Sequence, residues 1–266
     1  MTAVRLALAQ LDGRLGDVSA NEQRVRETLV DARAAGAGLV VFPELYLSGY
    51  ALREVDADTT RTPEQVAALV ESPAALVGFH EPGHNSAAYV AAGEVRHVHR
   101  KLNIVEGEPF GEDELFTPGS EARAFATPWA PMAVLICNDA WNPRLPFGAV
   151  RDGAEVLLMP SCSSIEVPEA EGIWRELTRA YARVLECHVV FVNRVGTEPG
   201  FTYWGGSHVV DPEGSVVAEA PRLQEALLLA DAELDAAAKR RSQRKKLDAS
   251  AYDRLVAELP NLTWSR

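Results

Sequence analysis

The sequence predicts a mixed α/β protein in which strand–helix–strand units alternate with antiparallel stretches. Three observations carry this. Continuous apolar runs, "GLVVFP", "EVLLMP" and "VVFVN", read as strands buried on both faces, as in sheets covered by helices. Between such runs lie segments with apolar residues at helical spacing, so that strands are joined by crossovers with helices packed outside. Other stretches, "AALVGF", "SAAYVAAG" and "EVRHVHR", are separated only by turn residues and read as antiparallel strands.

Val4, Leu6 and Leu8 alternate and mark the first strand. Ser19 with Glu22 forms a capping-box pattern after Val18, and Val25, Leu29 and Ala32 trace the inner face of the helix that follows. Gly36 and Gly38 end it. "GLVVFP" is the next strand. After the antiparallel stretches, "AVLI" leads to a helix over Leu145 to Asp152, and "EVLLMP" to a longer helix from about Glu169 to Glu186. Ile173, Leu177, Tyr181 and Val184 are its expected inner face, and "VVFVN" follows it. "HVVDPEGSVVAEA" is a hairpin turning at Asp211-Pro212-Glu213-Gly214, where proline and glycine supply the geometry. No Gly-, Ser- or Pro-rich linker divides the chain, so residues 1–266 read as one domain.

The 266 residues are enough to bury a sizeable core. With 38 acidic against 26 basic residues, the formal charge of -12 repels nucleic acid and anionic membranes at long range. Six basic residues cluster between Lys239 and Lys246, which reads as a solvated helix end. No stretch approaches the roughly 20 apolar residues of a membrane helix. The N-terminal segment reads as a strand instead of a signal. Three cysteines, Cys137, Cys162 and Cys187, show no paired spacing, which fits a reducing cytoplasm.

In sheets of this kind, ligands bind beyond the carboxyl ends of the strands. Just past the apolar runs stand Glu44, Cys137 with Asn138, Ser161 to Ser164, and Asn193 with Arg194; Lys101 ends "EVRHVHRK". Taken alone, a cysteine after an apolar run is a small buried hydrophobe, and a glutamate after "FP" a loop acid. Together they place a nucleophile, a base and a cation on one rim, which is what acyl transfer requires.

The ordered motifs "VVFPELYLSGY", "HRKLNI", "LICNDAW", "VNRVG" and the Gly-Gly-Ser…Asp-Pro-x-Gly run resemble the nitrilase, or carbon–nitrogen hydrolase, superfamily over roughly residues 4–231. The resemblance implies a four-layer α-β-β-α sandwich and a Glu-Lys-Cys triad of Glu44, Lys101 and Cys137. It implies a homodimer, with the C-terminal tail from about residue 232 in its contacts. In "GEDELFTPG" it implies a second glutamate, assigned to Glu112, four residues before Phe116, in preference to Glu114. Tyr50, Asn138, Trp141, Ser161 and Asn193 are the expected substrate-binding residues. The implied substrate is a small amide or N-carbamoyl compound, cleaved through a cysteine thioester without metal or other cofactor. Rival readings are a glutaminase-like ammonia donor to a partner synthetase, acyl transfer to an acceptor other than water, and a catalytically silent binding protein of the same fold.

Several features stand apart. "HEPGH", His80 to His84, matches the zinc-protease pattern H-E-x-x-H, but Pro82-Gly83 breaks the helix that the pattern needs. His97 and His99 share one side of a strand without an evident third ligand. Cys162, in "PSCSS", reads as a buried or pocket-lining thiol. Asn103 stands where many members of the family have histidine, and Asn138 replaces a frequent tyrosine. The polar turn of Asn138, Asp139 and Asn142 is expected to suit a substrate with hydrogen-bonding groups.

Overall fold

The computed structural model describes residues 3–234. The expected dimer contacts of the tail lie, beyond residue 234, outside the described residues. The first half contains β1 (Ala3–Gln10), α1 (Val18–Ala34), β2 (Leu39–Val41), α2 (Pro63–Ala67), β3 (Ala74–Glu81), β4 (His84–Ala91) and β5 (Glu94–Arg100). The second begins with β6 (Met132–Val134), α3 (Arg144–Arg151), β7 (Val156–Ser161), α4 (Ala170–Leu185) and β8 (His188–Asn193). It closes with β9 (Val195–Glu198), β10 (Phe201–Trp204), β11 (His208–Val210), β12 (Val216–Glu219) and β13 (Ala226–Glu233).

Two sheets result, with β9 and β10 forming a separate hairpin. The first has the order β13-β1-β2-β3-β4-β5, the second β12-β11-β8-β7-β6. In the first, β1, β2 and β3 run parallel, joined by crossovers through α1 and α2. β4 and β5 then return by hairpins, so β5 points the same way as β2. In the second, β6, β7 and β8 are parallel, joined through α3 and α4, and β11 and β12 close one edge antiparallel.

Three apolar cores account for the layering. Val4, Leu6, Leu8 and Val41 of the first sheet meet Val134, Val156, Leu158 and Val190 of the second, so the sheets lie face to face. Ala7, Val40 and Val77 point the other way, toward Val25 and Leu29 of α1 and Val66 of α2. Leu157, Met159, Val189 and Phe191 pack against Ala149 of α3 and Trp174 and Ala182 of α4. Alternation along each strand supplies one side chain to the middle core and the next to an outer one. Among the described residues, no helix is long and apolar enough to cross a membrane.

Two local expectations are corrected. Helix α1 starts before Ser19: Asp17 is the N-cap, its carboxylate accepting from the Ala20 N–H, and Glu22 instead pairs with Arg61 at 2.7 Å. An acceptor placed two residues earlier captures the free amides first. Helix α4 is rotated by one residue from the expected face. Ala170, Trp174, Thr178 and Ala182 are buried, while Ile173, Leu177 and Tyr181 are half-buried and Val184 is 73% exposed. The indole of Trp174 packs on Phe191 at 4.6 Å, and the Thr178 hydroxyl bonds the His208 ring. Large-ring burial and that hydrogen bond outweigh the aliphatic stripe that periodicity alone favours.

Candidate active site

Glu44 follows β2, Lys101 follows β5 and Cys137 follows β6 and its extension through Ile136. Because β2 and β5 point the same way, their carboxyl ends deliver Glu44 and Lys101 to one edge of the first sheet. The Lys101 ammonium donates to Glu44 Oε1 at 2.8 Å and to Glu112 Oε1 at 2.6 Å, and all three side chains are buried. Further donors meet both carboxylates and leave one lone pair open on each Oε2. Asn85 donates to Glu44 Oε1 and the Cys162 N–H to Glu44 Oε2; Tyr50 donates to Glu112 Oε1 and the Val105 N–H to Glu112 Oε2. A buried ion cluster persists only when its members are paired and hydrogen-bonded in this way.

Glu44 sits in a turn laid directly on β3. A Cβ on Gly78 would stand 2.2 Å from the Pro43 carbonyl oxygen and 2.8 Å from the Leu45 nitrogen, so only glycine admits the turn there. Leu45, next to Glu44, and Cys137 itself both take left-handed backbone angles, φ 46° and 43°. Non-glycine residues held in that region mark places where the surroundings override local preference.

Cys137 opens a short 3-10 turn, Cys137–Trp141, anchored by Asp139. The buried carboxylate of Asp139 accepts from the N–H groups of Leu102 and Asn103 at one oxygen, and from the Ile136 N–H and the His99 ring at the other. The residue before the cysteine and the two after the lysine are thus tied to one side chain. Asn103 and Asn138 add a reciprocal pair, each amide donating to the other's backbone carbonyl. This pair ties the loop after Lys101 to the turn that carries Cys137.

Burial, and next the Glu44 carboxylate, push the Cys137 thiol well above its ordinary range, with Lys101 opposing. Burial raises Glu44 as well, against the pull of Lys101. For Lys101, burial works to lower the pKa but is outweighed by Glu112 and Glu44, so the ammonium is held well above its usual value. At rest the cluster holds a protonated thiol, a fixed cation and a carboxylate that is a stronger base than a glutamate in water.

Cys137 faces an open cleft of about 130 Å³. Tyr50, Asn138 and Trp141 line it, and so does Cys162, whose thiol donates to the Glu44 carbonyl oxygen at 3.1 Å. Ser161 and Asn193 do not line it. Ser161 is buried at the end of β7, and the Asn193 amide clamps the backbone of Ser163 with bonds of 2.8 and 3.0 Å. The chain turns after these strands, so it is Ser163 and Ser164 that reach the cleft. Asp139 and Asn142 do not offer the expected substrate contacts either. Asp139 is fully used within the fold, and Asn142 caps the Arg144 N–H at 3.2 Å. Asn85 was invisible to sequence reasoning, since nothing in its spacing ties it to Glu44. His80 and His84 flank the Pro82-Gly83 turn between β3 and β4, bonded to Thr59 and Thr117, so no helix face joins them. His97 stacks on Phe125 at 4.3 Å.

Known proteins are similar to the chain over most of its length. A glutamine-dependent NAD(+) synthetase of Acinetobacter baylyi is 27% identical over 97% of the chain, which spans only 49% of that protein. The chain thus covers about half the length of the synthetases it matches. An N-carbamoylputrescine amidase of Arabidopsis thaliana is 30% identical, with 82% of the chain and 83% of the relative aligned. A solved amidase of the nitrilase superfamily from Nesterenkonia superposes with a TM-score of 0.77 at 25% identity, covering 90% of this chain and 95% of that one. The carbon–nitrogen hydrolase family model matches residues 5–242, and the chain belongs to that family, within the nitrilase superfamily.

Proposed function

We propose that the protein hydrolyses a small amide through a thioester on Cys137, with Glu44 as general base, Lys101 as the cation that meets developing negative charge, and Glu112 as the group that holds Lys101. The observation carrying this reading is the buried Glu44–Lys101–Glu112 chain of hydrogen bonds at the strand ends beside Cys137. The amidases among its relatives and structural neighbours support the same chemistry.

The steps follow from the residue types. The Cys137 sulfur attacks the carbonyl carbon while its proton passes to Glu44; the raised basicity of Glu44 favours that transfer. The former carbonyl oxygen becomes an oxyanion, for which the Lys101 ammonium and the Asn138 backbone N–H are the donors. Collapse breaks the C–N bond, Glu44 returns its proton to the departing nitrogen, and a thioester remains. Water then gives a proton to Glu44 and attacks the thioester, releasing the acid and the thiol. An amide suits these donors better than a nitrile, because attack on a nitrile places the charge on a nitrogen that needs prompt protonation.

The test is acid-quenched turnover followed by intact-protein mass measurement. An acyl adduct on Cys137, absent from Cys137→Ala together with ammonia release, is the expected result; undiminished turnover by folded Cys137→Ala would exclude the scheme. A second reading, ammonia donation from glutamine to a partner synthetase, is favoured by the likeness to half of the NAD(+) synthetases. Homodimerisation belongs to the proposal too, and light scattering at micromolar concentration decides it.

A further inference from the structure

We infer that the substrate is an uncharged amide with an apolar acyl group, and that glutamine and other amides carrying a charge on the acyl chain are excluded. The inference rests on the amidohydrolase reading above and concerns the acyl side of the same cleft.

The walls beyond Cys137 are Val105, Phe110, Val167 and Trp174, with Tyr50 and Trp141 at their margins. The aromatic side is braced. Phe110 stacks on Phe201 at 5.5 Å, and Tyr50 meets the same Phe201 edge-on at 5.5 Å. The Trp174 indole is 1% exposed and held against Phe191, and Trp141 stands edge-on to it at 6.0 Å. Such a wall removes water from whatever enters and gains from apolar contact.

The polar atoms on this surface are neutral, and most are committed elsewhere. The Asn138 amide donates to Asn103, the Ser163 hydroxyl accepts from the Trp204 indole, and the Ser163 backbone is held by Asn193, while the buried Ser164 hydroxyl keeps an open hydrogen-bonding capacity but carries no charge. The buried ions Glu44, Lys101 and Glu112 already satisfy one another and their amide and phenol donors. Among the described residues, no charged side chain lines the cleft. An α-carboxylate and α-ammonium brought in with the amide carbon at Cys137 would meet Val105, Phe110 and Trp174 with no opposite charge on the lining to pair with. Desolvating an unpaired charge is among the costliest events in recognition. A methyl group in the same place is favoured. The site is thus built for the opposite end of the amide range from glutamine, although synthetases named for glutamine are among its relatives.

Three amides of similar chain length test this: pentanamide, glutaramate (a terminal carboxylate) and glutamine (a carboxylate and an ammonium). Each is assayed with the full chain for ammonia release, and separately for protection of Cys137 against acrylamide, read by intact mass with Cys137→Ala as the blank. The expected result is that pentanamide slows labelling and is hydrolysed with a kcat/KM at least 100-fold above either charged amide, neither of which protects at the same concentration. Glutamine or glutaramate that protects or turns over as well as pentanamide would overturn the inference, as would failure of pentanamide to protect. If pentanamide protects but is not hydrolysed, the pocket chemistry stands and the hydrolase reading falls.

Discussion

Glu112 and Glu114 occupy one short turn, Glu112–Glu114, yet their surroundings differ completely. Glu112 is buried and accepts from Lys101, Tyr50 and the Val105 N–H, whereas Glu114 is largely exposed and pairs with Arg53. Exposed pairs of that kind contribute about 0–1 kcal/mol. Glu112→Gln is therefore expected to lower kcat at least tenfold while the circular dichroism spectrum is kept, and Glu114→Gln to leave kcat within twofold. The pH profile is a second test at this scale. Glu44 must be ionised to act as a base, and burial raises it above the reference of 4.5. Activity should fall on acidification through an apparent pKa above that value, one that belongs to the coupled cluster. An acid limb at or below 4.5 would contradict the raised base. Glu44 and Cys137 were legible because each follows an apolar run and Lys101 because it ends "EVRHVHRK", whereas Glu112 came only from the family resemblance. Their partners were not: Asn85, the Cys162 N–H and the Tyr50 hydroxyl approach from strands and loops remote in sequence, and only the fold brings them together.

At the scale of elements, the site depends on how closely two turns sit on their strands. Gly78 in the middle of β3 lets the Glu44 turn rest on the strand, with the Leu47 N–H bonded to the Gly78 carbonyl. The added methyl of Gly78→Ala must displace backbone instead of a flexible side chain. Overpacking of this kind costs about 1–3 kcal/mol, and Glu44 moves with the turn. We expect a lower Tm together with at least a tenfold drop in kcat/KM; a Tm loss without a kinetic effect would mean that the turn recovers its place. Asp139 does the equivalent work in the second sheet. Asp139→Asn replaces an acceptor oxygen by an amide NH2 that faces N–H donors, so about 1–3 kcal/mol of stability should be lost, measured by urea unfolding. The strands and their crossovers were legible from apolar runs and turn residues. The inner face of α4 was not, because periodicity weighs Ile173, Leu177 and Val184 alike, whereas packing selects Trp174 for its ring and Ala182 for its close approach to the sheet. Nor does spacing reveal that Asp17 intercepts the amides assigned to Ser19.

On the scale of the whole molecule, the site lies at the seam between the sheets: Glu44 and Lys101 come from the first, Cys137 and Cys162 from the second, and the apolar core of Leu6, Leu8, Val134 and Val190 holds the two together. Anything that loosens the seam separates Cys137 from Glu44, the proposed nucleophile and base, so stability and activity should fail together. Acid is the natural probe. Burial lowers His80, His97 and His208 below the ordinary value of 6.5, His97 to about 4 with His99 adding to the effect. Above pH 6.5 these rings are neutral in both folded and unfolded chains and cost nothing. As pH falls below 6.5, the unfolded chain takes up protons that the folded chain resists, His97 until about pH 4, so stability must decline across that window. Arg100 and Ser86 lower the Glu81 carboxyl against burial, and Arg175 lowers that of Glu219; both act in the same direction nearer pH 4. The formal charge of -12 opposes them, since acid relieves self-repulsion. At 0.15 M salt, however, charges more than about 8 Å apart are screened, while the buried rings are not. Urea midpoints at pH 7.5, 6.0 and 4.5 should therefore decrease in that order, and His97→Phe, which keeps an aromatic ring against Phe125 but has no proton to take up, should flatten the decline. A midpoint that rises on acidification would mean that surface repulsion, and not the buried histidines, governs how the two sheets come apart.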